Sequence, residues 1–225
     1  MSTHDLILFV VLPLAAYVVG STPFGVILAR AHGVDLRRSG SGNIGATNVG
    51  RVLGRRWGYL CFALDVAKGF LPVAVAGAMV RPAGGAVPTP QAQAAWLAVG
   101  LAAVLGHVFS FYLRFRGGKG AATALGVVLG IYPYFTAAGA VALGLWLVVT
   151  LASRYVSLGS IVAAMVFVPL LAVFNRGKLA ELWPLLIFAA AVAVLIIVRH
   201  RSNIRRLLNG TENKIGRKAD PAGGA

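Results

Sequence analysis

Acidic residues are scarce in this chain. Only 6 Asp plus Glu stand against 21 Lys plus Arg in 225 residues, a formal net charge of +15. Charged residues of both signs make up only 12%, roughly half the share of an ordinary soluble domain. Cysteine is nearly missing as well. The one Cys61 lies inside an apolar run, so no internal disulfide can form and a cysteine metal site is excluded. No acidic pair suits a metal-bound phosphate, and no His/Cys/Glu cluster has metal-ligand spacing. No metal and no cofactor are therefore expected. A Gly-x-Ser-x-Gly nucleophile elbow is missing, and no Gly-Lys-Ser or Gly-Lys-Thr closes a Walker loop.

What is present is hydrophobic sequence, 58% of the chain. That excludes disorder, and too little polar sequence is left to cover an aqueous globule. A polytopic membrane protein resolves the conflict, because lipid covers the apolar exterior. In a soluble protein the basic excess would point to nucleic acid. Here the basic residues sit between apolar runs, as in cytoplasmic loops or sites for anionic substrates and lipid headgroups. Membrane lipids are expected partners; nucleic acid and an obligate protein partner are not. Residues 1–5 lack Lys and Arg and contain Asp5, so the apolar run from Leu6 reads as a first transmembrane helix and not a signal peptide.

Five apolar stretches cover about 6–28, 58–80, 92–112, 156–174 and 180–198. A sixth region, 121–153, has 33 uncharged residues. As one helix it would be about 50 Å long against about 30 Å of hydrocarbon. Pro133 interrupts it near the middle, and charge placement decides how to divide it. With two spans there, 17 of the 21 Lys and Arg fall inside and only Arg81, Arg176 and Lys178 outside, Lys68 being left within a span. One long helix would abolish that bias. The expectation is an all-α membrane protein of seven transmembrane helices, N-terminus outside and C-terminus cytoplasmic, forming a single domain over 1–225 with a flexible tail at 216–225.

Three polar segments then share the inner side. In the first, Arg37-Arg38-Ser39-Gly40-Ser41-Gly42-Asn43-Ile44-Gly45-Ala46-Thr47-Asn48-Val49-Gly50-Arg51, glycines alternate with small polar residues. Backbone N–H groups there can approach a phosphate, and Arg51 adds a two-pronged cation. The second runs from Gly106-His107 to Arg116-Gly117-Gly118-Lys119-Gly120 and Thr123. It places an ammonium and free backbone donors at the mouth of an apolar helix. In the third, His200, Asn203 and Arg206 share one helical face, followed by Gly210, Glu212 and Lys214. The plain readings are a basic linker, a topology signal and a juxtamembrane anchor. None of them calls for the regular Ser, Asn and Thr of the first segment or the His, Asn and Glu of the third. Asp65 and Lys68 lie three apart inside the second apolar run, as a structural ion pair or the floor of a site. Ser21-Thr22-Pro23 is placed to open the first helix near its inner end. Group transfer to a phosphorylated solute, or its transport by a small permease, fits these features. A structural subunit docking through basic loops is a further alternative.

The motifs also carry a resemblance. Ser39 through Arg51, Gly106-His107-Val108-Phe109 with Phe115-Arg116-Gly117-Gly118-Lys119-Gly120, and His200-Arg201-Ser202-Asn203-Ile204-Arg205-Arg206-Leu207 with Gly210-Thr211-Glu212-Asn213-Lys214 resemble the three signatures of the bacterial membrane acyl-phosphate:glycerol-3-phosphate acyltransferases. Gly20-Ser21-Thr22-Pro23-Phe24-Gly25 is similar to that family as well. The resemblance implies a seven-helix inner-membrane enzyme with a cytoplasmic active side. Its substrates would be acyl phosphate and sn-glycerol 3-phosphate, its products lysophosphatidic acid and inorganic phosphate. It implies no conventional catalytic dyad or triad, with a substrate phosphate taking the hydroxyl proton. Ser41, Arg51, Lys119, His200 and Asn203 become the expected catalytic residues. Ser39, Gly42, Asn43, Thr47, Asn48, His107, Gly117, Gly118, Gly120, Thr123, Arg206, Gly210, Glu212 and Lys214 become the expected substrate contacts. Two departures affect local loop shape: Ser110 stands where proline is usual, and Arg116 replaces the commoner lysine.

Overall fold

The structure, a computed structural model, describes residues 2–216. The tail expected at 216–225 lies outside them but for Gly216. Every regular element among the described residues is helical. Helix α1 (Thr3–Leu6) starts in a reciprocal cap, with Ser2 and Asp5 bonding each other's backbone N–H. It runs through one wide turn into α2 (Leu12–Ser21). The chain breaks at Thr22-Pro23 and resumes as α3 (Phe24–Ala31), because proline cannot donate the bond a continuous helix needs. Then come the short α4 (Ala46–Val52) and the long α5 (Arg55–Val80). Helix α6 (Pro90–Val108) opens on a Thr89 cap with proline at its first position. After the second polar segment follow α7 (Ala121–Gly130), α8 (Thr136–Ser153), α9 (Val156–Phe174), α10 (Trp183–Arg199) and α11 (Arg201–Leu208).

Among the described residues five spans are long and apolar enough to cross a membrane: Thr3–Ala31, Arg55–Val80, Pro90–Leu113, Thr136–Ser153 and Val156–Phe174. The α10–α11 pair, bent by 55°, makes a sixth if counted as one. Helix α7 has only 10 residues, about 15 Å, half of a hydrocarbon core. Length and composition thus give a polytopic all-α membrane fold of five or six spans. The seven expected from charge placement count the short α7 as one more.

Small residues let the helices approach. A side chain on Gly106 would collide with the Tyr17 carbonyl of α2, and one on Gly126 with the Val66 carbonyl of α5. Lipid gives helices no hydrophobic reason to associate, so close backbone packing of this kind supplies the attraction. Large side chains such as Leu14, Leu151, Met165 and Ile187 face outward instead.

Side-chain contacts sort the loops into two ends. At one, Arg37 Nη2 donates to the Arg116 carbonyl at 2.7 Å, and Arg154 and Ile215 exchange backbone and guanidinium bonds. At the other, Arg81 reaches the Tyr132 carbonyl at 3.4 Å, Asn175 that of Tyr134 at 3.2 Å, and Gln93 those of Pro88 and Glu181 at 2.8 Å. Residues 132–134 therefore share contacts with 81 and 175, whereas 116 and 154 meet 37 and 215.

Candidate active site

The first polar segment is shaped by Asn48, only 1% exposed in the first turn of α4. Its Oδ1 accepts from the Ser41 N–H at 2.8 Å. Its Nδ2 donates to the carbonyls of Asn43 (2.8 Å), Ser39 (3.0 Å) and Leu36 (3.3 Å). The side chain thus does for the loop what backbone pairing does in a sheet, and it satisfies its own buried amide. Gly40 and Gly42 adopt positive φ, +61° and +69°, which a glycine tolerates without a Cβ penalty. Asn43 is half-buried and accepts from the Gly45 N–H at 2.9 Å. Ser41, Gly42 and Thr47 are exposed and Ser39 is half-buried.

The second segment folds back on the end of α6. Gly117 N–H donates to the Val108 carbonyl at 3.1 Å, and Gly118 N–H to that of His107 at 3.0 Å. A side chain on Gly117 would collide with the His107 carbonyl, and one on Gly118 with its ring. These glycines are therefore required by packing. Arg199, the last residue of α10, clamps the segment from the other side: its Nη2 reaches the Gly118 carbonyl at 3.1 Å and that of Gly117 at 3.4 Å. Gly120 (φ +87°) turns the chain into α7, where Thr123 is fully buried.

Held this way, Lys119 meets the third segment. Its Nζ donates to Asn203 Oδ1 at 2.5 Å. Asn203 Nδ2 donates to Glu212 Oε1 at 2.7 Å, Ser157 Oγ donates to the same oxygen at 2.9 Å, and Arg206 Nε pairs with Glu212 Oε2 at 2.7 Å. Helix α11 turns off the span, so Asn203 and Arg206 face the cluster one turn apart while Arg201 and Arg205 stay exposed. Burial pushes the Lys119 ammonium down to about 8; Glu212 opposes this, and Arg206, Arg199 and Arg51 add to it. Burial alone would raise the Glu212 carboxyl. The bonds from Asn203, Arg206 and Ser157 outweigh that and hold it below its usual range. Arg51, on α4, sits near enough to Glu212 and Arg206 to feel both charges.

His200, 3% exposed, joins α10 to α11. Its Nδ1 lies 2.8 Å from the Ile196 carbonyl. A carbonyl can only accept, so Nδ1 carries the proton and Nε2 is left as an acceptor. Burial, first, and the neighbouring Lys119 push its pKa down to about 4, so the ring is neutral at physiological pH.

Beneath the cluster lies a buried ion pair within the spans. Lys68 Nζ is 2.8 Å from Asp65 Oδ1 and also donates, at 2.9 Å, to the Thr22 carbonyl freed by the helix break. His107 Nδ1 is 3.7 Å from the same Asp65 oxygen. His107 is therefore wedged between Asp65 and Gly118. Ser110 makes its own latch, its hydroxyl donating to the Ser21 carbonyl at 2.5 Å. Its φ of −59° is one that proline also adopts, so the loop keeps its shape despite the departure. Gly210 (φ +68°) and Lys214 are exposed, the latter with its ammonium 5.6 Å from the Tyr155 ring.

The fold thus joins Lys119, Asn203, Arg206 and Glu212 directly, sets Arg51 and His200 beside them, and commits Asn48, His107 and Thr123 to packing. Sequence reasoning missed Ser157 and Arg199. A lone serine at the start of an apolar helix, three residues after Arg154, was the only available signal for the first.

Comparison with known proteins agrees with this geometry. A family model described as glycerol-3-phosphate acyltransferase matches residues 10–210. A glycerol-3-phosphate acyltransferase of Geobacter sulfurreducens is 50% identical over 206 residues, covering 91% of this chain and 96% of the relative. One of Aquifex aeolicus is 43% identical over 201 residues, covering 88% and 95%. The crystal structure of PlsY, an integral membrane glycerol 3-phosphate acyltransferase, in its glycerol 3-phosphate form matches with a TM-score of 0.78 at 40% identity, covering 92% of this chain and 94% of that one. The lysophosphatidic acid form gives 0.75 at 39%.

Proposed function

The chain belongs to the glycerol-3-phosphate acyltransferase family, and from that premise we propose that it transfers a fatty acyl group from acyl phosphate to the 1-hydroxyl of sn-glycerol 3-phosphate. The products are lysophosphatidic acid and inorganic phosphate. The observation that carries the reading is the cluster in which Lys119 and Arg206 converge on Asn203 and Glu212, with Arg51 beside them. Two anionic substrates must meet, and cations from three segments lower their repulsion.

The acyl chain lies between helices, its phosphate held by Lys119, with Ser39, Ser41, Gly42, Thr47 and Gly120 at its entrance. Arg51 holds the phosphate of glycerol 3-phosphate with a planar fork. His200 Nε2 accepts a hydrogen bond from the attacking hydroxyl, and Asn203 fixes the Lys119 ammonium toward the developing oxyanion. The hydroxyl oxygen bonds to the acyl carbon, the bond to the phosphate oxygen breaks, and the hydroxyl proton passes to a substrate phosphate. Phosphate leaves easily, so a neutral, weakly basic histidine suffices. Asn48, His107 and Thr123 act by holding the loops, and Gly117 and Gly118 by letting Lys119 in. Lys214 and Gly210 close the third segment.

The chain crosses the membrane seven times as one domain, α7 included, with the N-terminus outside and the site cytoplasmic. The 17-to-3 charge bias supports this, as do the separate contacts of 116 and 154 on the one hand and 132–134 on the other. Single cysteines on a Cys61→Ala background test it: position 134 should label from outside, 154 and 215 from inside. The reaction is tested with purified protein, acyl phosphate and glycerol 3-phosphate. Lysophosphatidic acid formed with equal inorganic phosphate is expected. Uptake of glycerol 3-phosphate into vesicles with no acylated product would establish a permease instead.

A further inference from the structure

We propose that a second anion site, apart from the Lys119–Asn203–Glu212 cluster, takes the phosphate headgroup of a membrane amphiphile. The site is a cavity of about 730 Å³ between the end of α3 and the loop after α6. Four arginines line it: Arg30, Arg37, Arg114 and Arg116. One carboxylate, Asp35, shares the lining. It is already engaged by the Arg37 N–H at 3.0 Å and by Arg38 Nε at 3.6 Å. Among the described residues none of the four guanidinium groups has a carboxylate within ion-pair distance. Such a concentration of like charge in one concavity repels itself, and a bound anion relieves it. Arginine's fork suits phosphate oxygens in pairs.

The cavity also has an apolar wall, and this favours an amphiphile over a free ion. Val26, Val34 and Leu113 supply it. Val26 precedes Arg30 by four residues on α3, so it lies on the same face one turn deeper toward the membrane. A headgroup at the arginines therefore leaves its chain against Val26. The bordering loop carries three exposed aromatic rings, Phe111 (65%), Tyr112 (54%) and Phe115 (60%), the kind of side chain that seats at a membrane interface. Arg114 and Phe115 both adopt positive φ, +51° and +61°, uncommon for residues with a Cβ. The turn they make leaves Phe115 exposed while Arg114 and Arg116 line the cavity. The volume falls in the range of small-ligand sites, roughly 300–1,000 Å³. Arg37 further ties the site to the Arg116 carbonyl, just before Gly117-Gly118-Lys119, so an occupant braces the loop that carries Lys119.

Two sources share this chemistry, an anionic phospholipid of the bilayer and a lysophosphatidic acid. The test uses full-length protein in neutral detergent, with bound lipid counted by native mass spectrometry. An Arg51→Gln/Lys119→Met background removes both phosphate-holding cations of the first cluster, so the result does not depend on turnover or on the acyltransferase reading. Probes are phosphatidylglycerol, lysophosphatidic acid, phosphatidylcholine and inorganic phosphate. Arg30→Gln/Arg114→Gln should weaken retention of at least one anionic lipid tenfold or more and leave phosphatidylcholine unchanged. Arg30→Lys/Arg114→Lys should retain that lipid better than the glutamine pair. Similar retention of both anionic lipids assigns the site to bilayer lipid; a tenfold preference for lysophosphatidic acid assigns it to that phosphomonoester. Undiminished retention in the glutamine pair, equal loss in the lysine pair, or inorganic phosphate binding as tightly as either lipid would overturn the proposal.

Discussion

Lys119 must carry its charge to hold a phosphate, yet burial has brought its pKa to about 8. The perturbation that tests this is pH, with and without Glu212. Its acid side is set by the substrate, because a phosphomonoester takes its second charge near pH 6. His200, at about 4, does not titrate in this window. A plot of log kcat/KM against pH should therefore be level between about 6.5 and 7.5 and fall tenfold per unit well above 8, since kcat/KM reports the free enzyme. Glu212 raises the lysine's pKa across the Asn203 bridge. Glu212→Gln removes that charge and leaves Arg206, Arg199 and Arg51 unopposed, so the alkaline limb should move to lower pH. For a half-buried carboxylate screened by water, a shift on the order of one unit is expected, about 1.4 kcal/mol. In kcat the limb should lie higher than in kcat/KM, because bound phosphate favours the charged lysine. Initial rates of lysophosphatidic acid formation over pH 5.5–10 provide the assay. A wild-type profile level to pH 10, or a limb that moves up in Glu212→Gln, would refute the reasoning.

Other substitutions separate charge, shape and stability. Lys68→Met should cost about 3–5 kcal/mol by leaving Asp65 charged and unpaired within a span; adding Asp65→Asn should recover most of it, read as unfolding midpoints in detergent. Arg51→Lys keeps charge but loses the planar fork and should cut kcat/KM at least tenfold in folded protein, whereas Arg81→Ala at the other end should change it less than twofold. His200→Gln keeps a hydrogen-bond acceptor and should retain measurable turnover, His200→Ala less. Equal inactivity of both, with substrate binding intact and a wild-type rate step near neutral pH lost, would make His200 the general base.

Much of the architecture was legible because charge and proline are blunt signals. Pro133 marked the gap between α7 and α8, and Pro23 the break whose freed carbonyl Lys68 now occupies. That α7 is short was legible from the few apolar residues before Pro133; the path of the segment before it was not. The second segment folds back along the last turn of α6 through Gly117 and Gly118, and apolar periodicity says nothing of a loop that doubles back. Within the site, the three-residue spacing of His200, Asn203 and Arg206 named the face that turns inward. Asn48 shows where spacing runs out. Its four bonds to its own loop depend on where four backbone groups converge, so sequence could mark it as polar and placed but not as a latch. Ser157 was invisible because its partner, Glu212, is 55 residues away.

Acyl phosphate labelled with heavy oxygen at the bridge between carbonyl carbon and phosphorus tests the central claim most directly. Attack of the glycerol 3-phosphate hydroxyl on the carbonyl breaks the carbon–oxygen bond, so all of the label should leave in inorganic phosphate and none should remain in lysophosphatidic acid. Label recovered in free fatty acid, with phosphate passed to the acceptor, would mean phosphoryl transfer and would contradict the account.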